Sequence, residues 1–536
     1  MTRFPRPRGR RWTSALGLLT AALMLLGLWP AAAQWLPPLP TPRAARGSWW
    51  ALPAAAGPRV TPLAPGKAAA PPRAAHTPLP RTAAGSPAPG VRFTHGQTYT
   101  TQAGDTLPVL AVRFGVSAEA LRALDGRGLP AQGLLPPGLT LWVPPDAVQG
   151  QTPATRLLPD SEVVFSPSAV DFDTRAFLQQ AQSPLLAYRE YLPTPGTLDG
   201  AALVDYIARN YSINPRLLLA VLEYRGGWVF GRPNEATRQN PLHRPDSDDK
   251  GRLSRALIWA AEQLAIGYYG WREGRLTHIT FVTGEQARLE PTLNAGTVAL
   301  MHLFAQLLPP AQWAHALDPA DAQGFPAFYA ATFGDPWERA RWAEPLYPPD
   351  LRQPRFILPF YQGQTWSLTS GPHGAYGPVG SLAALDLAPA HEGGPRCRVS
   401  RYWVLAVADG VVVRSDPGIV VLDLDGDGRE QTGWNVLYLH IATEDRQVQV
   451  GDRVRQGDPL GHPSCEGGVS TGTHIHLARK YNGEWMAAAG PVPFDLEGWV
   501  AQAGAQPYEG RLVRDGQVVV ANPLGIPASL IRRGEP

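Results

Sequence analysis

The 536-residue chain is poor in three things, and each shortage excludes something. Its 2 cysteines exclude a cysteine-rich zinc module or a densely cross-linked scaffold. Its 17% charged residues and net charge of +3 give no ground for nucleic-acid binding, although weak basicity is compatible with an acidic polymer such as a cell wall. It has a single long apolar run, ALGLLTAALMLLGLW at residues 15–29, which falls short of the ~20 residues that usually span a bilayer. With basic MTRFPRPRGRR before it and AAAQ after it, the run reads as a secretory signal peptide over residues 1–33, and a membrane anchor is the alternative. The Arg10-Arg11 pair is compatible with a twin-arginine route. A secreted or cell-envelope protein is therefore expected, with no stable membrane span once the signal is removed. In such a protein Cys397 and Cys465 suggest one disulfide, with two free thiols as the alternative.

What the chain has in abundance is proline, 57 residues, concentrated first in a Pro/Ala/Gly/Arg-rich stretch over residues 34–92. That composition cannot bury a core and predicts an extended linker. The remaining length is too great for one core, so several domains are expected. Residues 98–144 read TYTTQAGDTLPVLAVRFGVSAEALRALDGRGLPAQGLLPPGLTLWVP. They predict a strand, a helix carrying Leu107, Leu110, Ala111 and Phe114, a second short helix with Leu121 and Leu124, and a closing strand. This βααβ order, with YTTQAGDTL, RFGVS and PPGLTLWVP, resembles a LysM module, here over residues 93–146. The resemblance implies binding to the glycan of peptidoglycan or chitin.

Residues 171–346 predict a mainly α domain, with apolar runs at 217–222, 256–269 and 299–307. INPRLLLAVLEYRGGWV at residues 213–229 resembles the first catalytic helix of lysozyme-like lytic transglycosylases, and LNAGTVALMHLFA matches a later helix. The position at which that family places its acid is held by Arg225, and Glu223 lies two residues early, about half a helical turn away. The expectation is a lysozyme-like domain that contributes glycan contacts without glycosidic chemistry; Glu223 as a surviving acid and an unrelated helical bundle are the alternatives.

After residue 351 the chain turns to short alternating strands and Gly/Asp/Pro turns, predicting an all-β antiparallel domain over residues 351–504 and a β extension over 505–536. TGTHIHLARK puts His474 and His476 on one strand face and Ile475 and Leu477 on the other. NVLYLHIA places His440 on the face of Tyr438. Together with GSLAALDLAP, VLAVADGVVV and VQVGDRVRQGDPLGHPS, these segments resemble the lysostaphin-type (LytM-like) zinc endopeptidases of peptidoglycan. The resemblance implies Asp386 and His476 as zinc ligands and His440 and His474 as the catalytic histidines flanking a metal-bound water. It also shows a departure: Leu382 stands where the HxxxD motif needs its first histidine. His373, in the glycine-rich TSGPHGAYG, is the candidate replacement ligand, the alternative being a turn histidine; His391 and His462 flank turns and are weaker candidates. A second metal feature is LDLDGDGREQTGW, in which Asp423, Asp425 and Asp427 match the start of a calcium loop. Its twelfth position is Trp434 instead of Glu, so a solvated acidic hairpin is the alternative. The reading is an exported peptidoglycan hydrolase that uses Zn2+ with Ca2+ as a second candidate ion. Its rivals are a catalytically degenerate wall-binding regulator of another hydrolase and a purely structural wall protein.

Overall fold

The computed structural model describes residues 96–390, 392 and 396–534. The signal peptide, the linker and His391 lie outside the described residues.

The first module opens with β1 (Gln97–Thr100) and α1 (Leu107–Phe114), and continues with β2 (Arg122–Ala123) and β3 (Thr140–Val143) in the order β1-β3-β2. Thr106 caps α1 by accepting the Val109 N–H, and Gly115 ends it at φ 64°, a left-handed conformation that glycine adopts without a Cβ clash. The expected second helix is a single 3-10 turn, Ala118–Ala120. Arg122 and Ala123 instead pair with Trp142 and Leu141, so the sheet satisfies backbone groups that a helix would have bonded internally.

The middle segment holds α2 (Thr174–Gln180), the hairpin β4 (Arg189–Leu192) and β5 (Gly196–Asp199), α3 (Gly200–Tyr211), α4 (Pro215–Gly226), α5 (Glu235–Gln239) and α6 (Leu253–Arg272). A second hairpin, β6 (His278–Thr280) and β7 (Gln286–Arg288), leads to α7 (Ala295–Ala305), α8 (Pro310–Ala316), α9 (Phe325–Phe333) and α10 (Pro336–Ala343). The three apolar runs of the sequence become α4, α6 and α7, whose inward faces are fully buried. In α4, Asn214 accepts the Arg216 N–H, Pro215 occupies the first turn and Gly227 supplies the left-handed end.

The last segment is antiparallel throughout its described pairings. Its strands are β8 (Thr365–His373), β9 (Ala384–Pro389), β10 (Val404–Leu405), β11 (Gly410–Asp416), β12 (Gly418–Asp423), β13 (Trp434–Ile441), β14 (Arg453–Val454) and β15 (Pro459–Gly461). They continue with β16 (Ile475–Tyr481), β17 (Glu484–Trp485), β18 (Asp495–Leu496), β19 (Trp499–Ala503), β20 (Gly510–Arg514), β21 (Gln517–Val520) and β22 (Leu530–Arg532). Nine form one sheet ordered β14-β11-β12-β13-β16-β9-β8-β22, with β17 added beside β16. The tail from residue 505 is divided: β20 and β21 complete a four-stranded sheet with β18 and β19, while β22 joins the large sheet. The chain after residue 505 is thus woven into both sheets.

The large sheet has two buried faces. Val420, Leu422, Val436, Tyr438, Ile475 and Leu477 pack toward the four-stranded sheet. Ile419, Val421, Leu437, Leu439 and Ala478, with Trp485, share a continuous core with α3, α4, α6 and α7. Burying a large apolar side chain is worth about 1.5–3 kcal/mol, so this shared core stabilises the packing of the sheet on the helices.

Candidate metal centre

Adjacent strands β13, β16, β9 and β8 bring the site together. His476 on β16 is paired directly with Asp386 on β9. On the other side of β9, β8 slips register twice, between Leu368 and Ser370 and between Ser370 and His373, and this irregularity delivers His373 to the same place. His373 Nε2 lies 3.0 Å from His476 Nδ1 and 3.2 Å from Asp386 Oδ1, and His476 Nδ1 lies 3.1 Å from the same oxygen. All three residues are buried.

Two backbone carbonyls fix the ring tautomers. A carbonyl can only accept, so His373 Nδ1–H donates to Gly371 O at 2.8 Å and His476 Nε2–H donates to Ala375 O at 2.9 Å. In the neutral rings the remaining nitrogens carry lone pairs, and both face Asp386 Oδ1. That oxygen is buried and makes no well-formed hydrogen bond. In that state three electron-pair donors converge, an arrangement that a cation, or a second proton on His373, satisfies. Burial pushes the Asp386 carboxyl up, but the charge and hydrogen bond of His373, together with His476 and His474, outweigh it and hold Asp386 well below the usual carboxylate range. For His373, burial opposes the charged form and Asp386 overcomes it, leaving the pKa raised. Burial lowers that of His476.

The two remaining histidines line the same groove. His474 Nδ1 donates to Gly472 O at 2.7 Å, which leaves Nε2 facing inward, 3.6 Å from Asp386 Oδ2. His440 Nδ1 donates to Glu466 O at 2.8 Å, and its ring centroid is 4.5 Å from that of His474. Strand alternation assigned His440 to the face of Tyr438, and this is corrected. Gly418 pairs with Ile441 and Ile419 with Leu439, so His440 is the extra residue of a bulge, at φ 69°. The bulge puts Leu439 and His440 toward the groove and leaves Tyr438 and Ile441 in the opposite core. Burial, then His474 and His476, lowers the His440 pKa to about 3.

The Cys397–Cys465 disulfide is formed, with a Cα–Cα distance of 5.6 Å. It links the segment whose Arg396 O accepts the Thr473 N–H to the loop whose Glu466 O holds His440. Closing a loop of sequence separation 68 is worth about 4 kcal/mol in the chain-entropy picture.

One residue of the site escaped the sequence reading. Tyr508, at φ 73°, stacks on His373 with ring centroids 4.7 Å apart, and its backbone exchanges hydrogen bonds with Gly371 and Pro372. It lies in an irregular turn with no periodic pattern to announce it; its positive φ beside a histidine cluster is visible only in three dimensions.

Other candidates are placed elsewhere. Leu382 is held through its carbonyl by the Ala488 N–H. His462 donates to Tyr402 O and packs on Trp403, away from the cluster. Glu223 accepts the Val229 and Phe230 N–H groups at 2.7 and 2.9 Å, a structural acceptor at the end of α4, while Arg225 donates to Leu242 O. The Asp423, Asp425 and Asp427 carboxylates also cluster. Asp423, however, accepts N–H groups from Asp425, Gly426 and Gly428, and Asp427 accepts from Arg429 and Thr432. The turn consumes these oxygens, Trp434 begins β13, and calcium has no support there.

Comparison with known protein families follows the same division. Residues 99–144 match the LysM domain, residues 156–347 match the family described as LasA, N-terminal domain, and residues 397–488 match peptidase family M23. The last span includes His440, His474 and His476, whereas His373 and Asp386 precede it. The chain thus carries LysM, LasA N-terminal and M23 peptidase domains; the middle segment, which resembled a lysozyme-like domain, carries the LasA N-terminal match.

Among named proteins, the chain is homologous to Protease LasA of Pseudomonas aeruginosa. It is 28% identical over 364 residues to the protein of strain UCBPP-PA14, covering 64% of this chain and 78% of that one. The protein of strain PAO1 is 29% identical over 361 residues, with the same coverage. Among solved structures, the M23 metalloprotease pseudoalterin, described as from the deep sea, is 23% identical, covering 32% of this chain and 96% of that one, with a TM-score of 0.26.

Proposed function

We propose that this protein is an exported peptidoglycan hydrolase that cleaves wall peptide bonds with zinc, held on its substrate by the LysM module. The observation that carries this reading is the convergence of His373 Nε2, His476 Nδ1 and Asp386 Oδ1 in one buried groove. Two imidazoles and one carboxylate make a donor set suited to a catalytic zinc, which keeps a coordination position open. His373 then takes the place of the histidine that Leu382 lacks. Zinc in this site would polarise a scissile carbonyl and acidify a water.

The chain's own groups supply the rest. His474 and His440 each direct Nε2 toward the groove, because Nδ1–H donates to a backbone carbonyl. His440 is neutral near pH 7, since its pKa is lowered to about 3. A neutral imidazole can accept a proton from an attacking water and return it to the leaving amine. The tautomers are set before substrate arrives. The LysM match and the M23 match together point to a peptidoglycan substrate, glycan at one module and peptide at the other. Among the described residues no helix is long and apolar enough to cross a membrane.

Purified peptidoglycan incubated with the full chain should release new primary amines. His474→Ala and His440→Ala should each lower that rate by about 10²–10⁴-fold, the usual worth of a positioned general acid–base. Retention on peptidoglycan with no amine release from the wild type would overturn the reading in favour of the degenerate regulator.

A further inference from the structure

His440 stands outside the strand ladder, as the extra residue of the bulge between β12 and β13. Ladder pairing therefore does not aim its ring; the segment 464–467 does. The His440 carbonyl accepts the Ser464 N–H at 2.7 Å and the Ser464 hydroxyl at 3.0 Å. The ring then donates from Nδ1 to Glu466 O at 2.8 Å.

That segment needs a hold of its own, because Gly467 and Gly468 follow Glu466 and glycine leaves a backbone free to turn. Two contacts supply it. Gly467 lies against Gly418, the first residue of β12 and the partner of Ile441. Gly467 and Gly418 have φ of 83° and 78°, and a Cβ on Gly418 would come to 2.2 Å from the Gly467 nitrogen. The second contact is the Glu466 side chain. Its Oε2 accepts the Thr443 N–H at 2.9 Å and also the Thr443 hydroxyl proton. Thr443 follows the end of β13, a short step along the chain from His440. Glu466 thus grips this stretch twice, the ring by its carbonyl and the backbone beyond it by its carboxylate. Arg446, held by Ser415 Oγ at 2.9 Å, places a favourable charge near that carboxylate.

We propose that Glu466 is a positioning residue for His440, its carboxylate anchoring the carbonyl that fixes the imidazole as the Nδ1–H tautomer. The proposal rests on the reading of His440 above as an acid–base group of the hydrolase. An imidazole free to turn or to change tautomer presents Nε2 to the groove for only part of the time. Misplacing a reacting group by about 1 Å can cost about 10²-fold in rate.

The test uses the full chain, with 15N chemical shifts of the His440 ring and amine release measured against the amount of peptidoglycan. Glu466→Ala should lower the maximal rate about tenfold or more, with the half-saturating amount and the zinc content unchanged. Its His440 shifts should move from the Nδ1–H pattern toward a mixture of tautomers. Glu466→Gln, whose amide oxygen can still accept from Thr443, should keep the wild-type shifts and most of the rate. A maximal rate within about twofold of wild type, or unchanged ring shifts, in Glu466→Ala would overturn the proposal. If the melting temperature shows that this variant does not fold, Thr443→Val, which removes only the hydroxyl donor, decides by the same two readings. A wild type that releases no amine would instead refute the hydrolase reading. The ring shifts alone then decide, and an Nδ1–H tautomer retained in Glu466→Ala overturns the proposal.

Discussion

Two clusters in this protein look alike by composition and behave oppositely. His373, Asp386 and His476 form one, and Asp423, Asp425 and Asp427 form the other; in each, three ligand-type atoms lie within 4.8 Å of one another. In the acidic turn, backbone N–H groups point inward and consume the oxygens. In the histidine cluster the ring protons point outward to Gly371 and Ala375, and lone pairs meet in the middle. Proximity of ligand-type residues therefore does not define a metal site. The direction of the protons around them does, and the backbone sets that direction.

The largest effect should come from breaking the first cluster. His373→Ala is expected to lower zinc affinity by at least about 100-fold and bring amine release to background, measured by metal analysis and the peptidoglycan assay. Asp423→Ala should cost about 1–3 kcal/mol in urea unfolding, because three N–H groups lose a buried acceptor, and should leave the zinc content unchanged. A smaller and pH-dependent effect is expected at Asp425. Burial, then Asp423 and Asp427, raises its pKa to about 7, above its ordinary 3.8. The folded state therefore holds a proton that the unfolded state releases between about pH 4 and 7, and stability falls as pH rises through that window. Asp425→Asn should flatten this slope, by about 1 kcal/mol or less at a partly solvated site. Millimolar calcium should change the melting temperature by less than about 1 °C; a clear rise would erase the contrast between the clusters.

Much of the site was legible in the sequence because the chemistry lies in residue type and strand parity. His474 and His476 share a face as the HxH pattern required, and the glycine-rich setting of His373 marked a histidine able to leave regular geometry. The long apolar runs announced α4, α6 and α7, since burial on nearly every side leaves few polar interruptions. What stayed hidden depends on departures from periodicity. The bulge at His440 reverses a parity argument with one positive φ, and alternation cannot encode it. Tyr508 reaches His373 from a turn more than a hundred residues away in sequence. The shared core was equally silent: Ile419, Leu437 and Leu439 read as ordinary inward strand residues, and nothing local says that their cover is a set of helices.

The most direct test of the central claim is an anomalous difference map at the zinc edge from crystals of the full chain grown with equimolar zinc. The account predicts one strong peak within bonding distance of His373 Nε2, Asp386 Oδ1 and His476 Nδ1, and none at Asp423. A peak at the acidic turn alone, or no peak in the groove at full zinc loading, would contradict it.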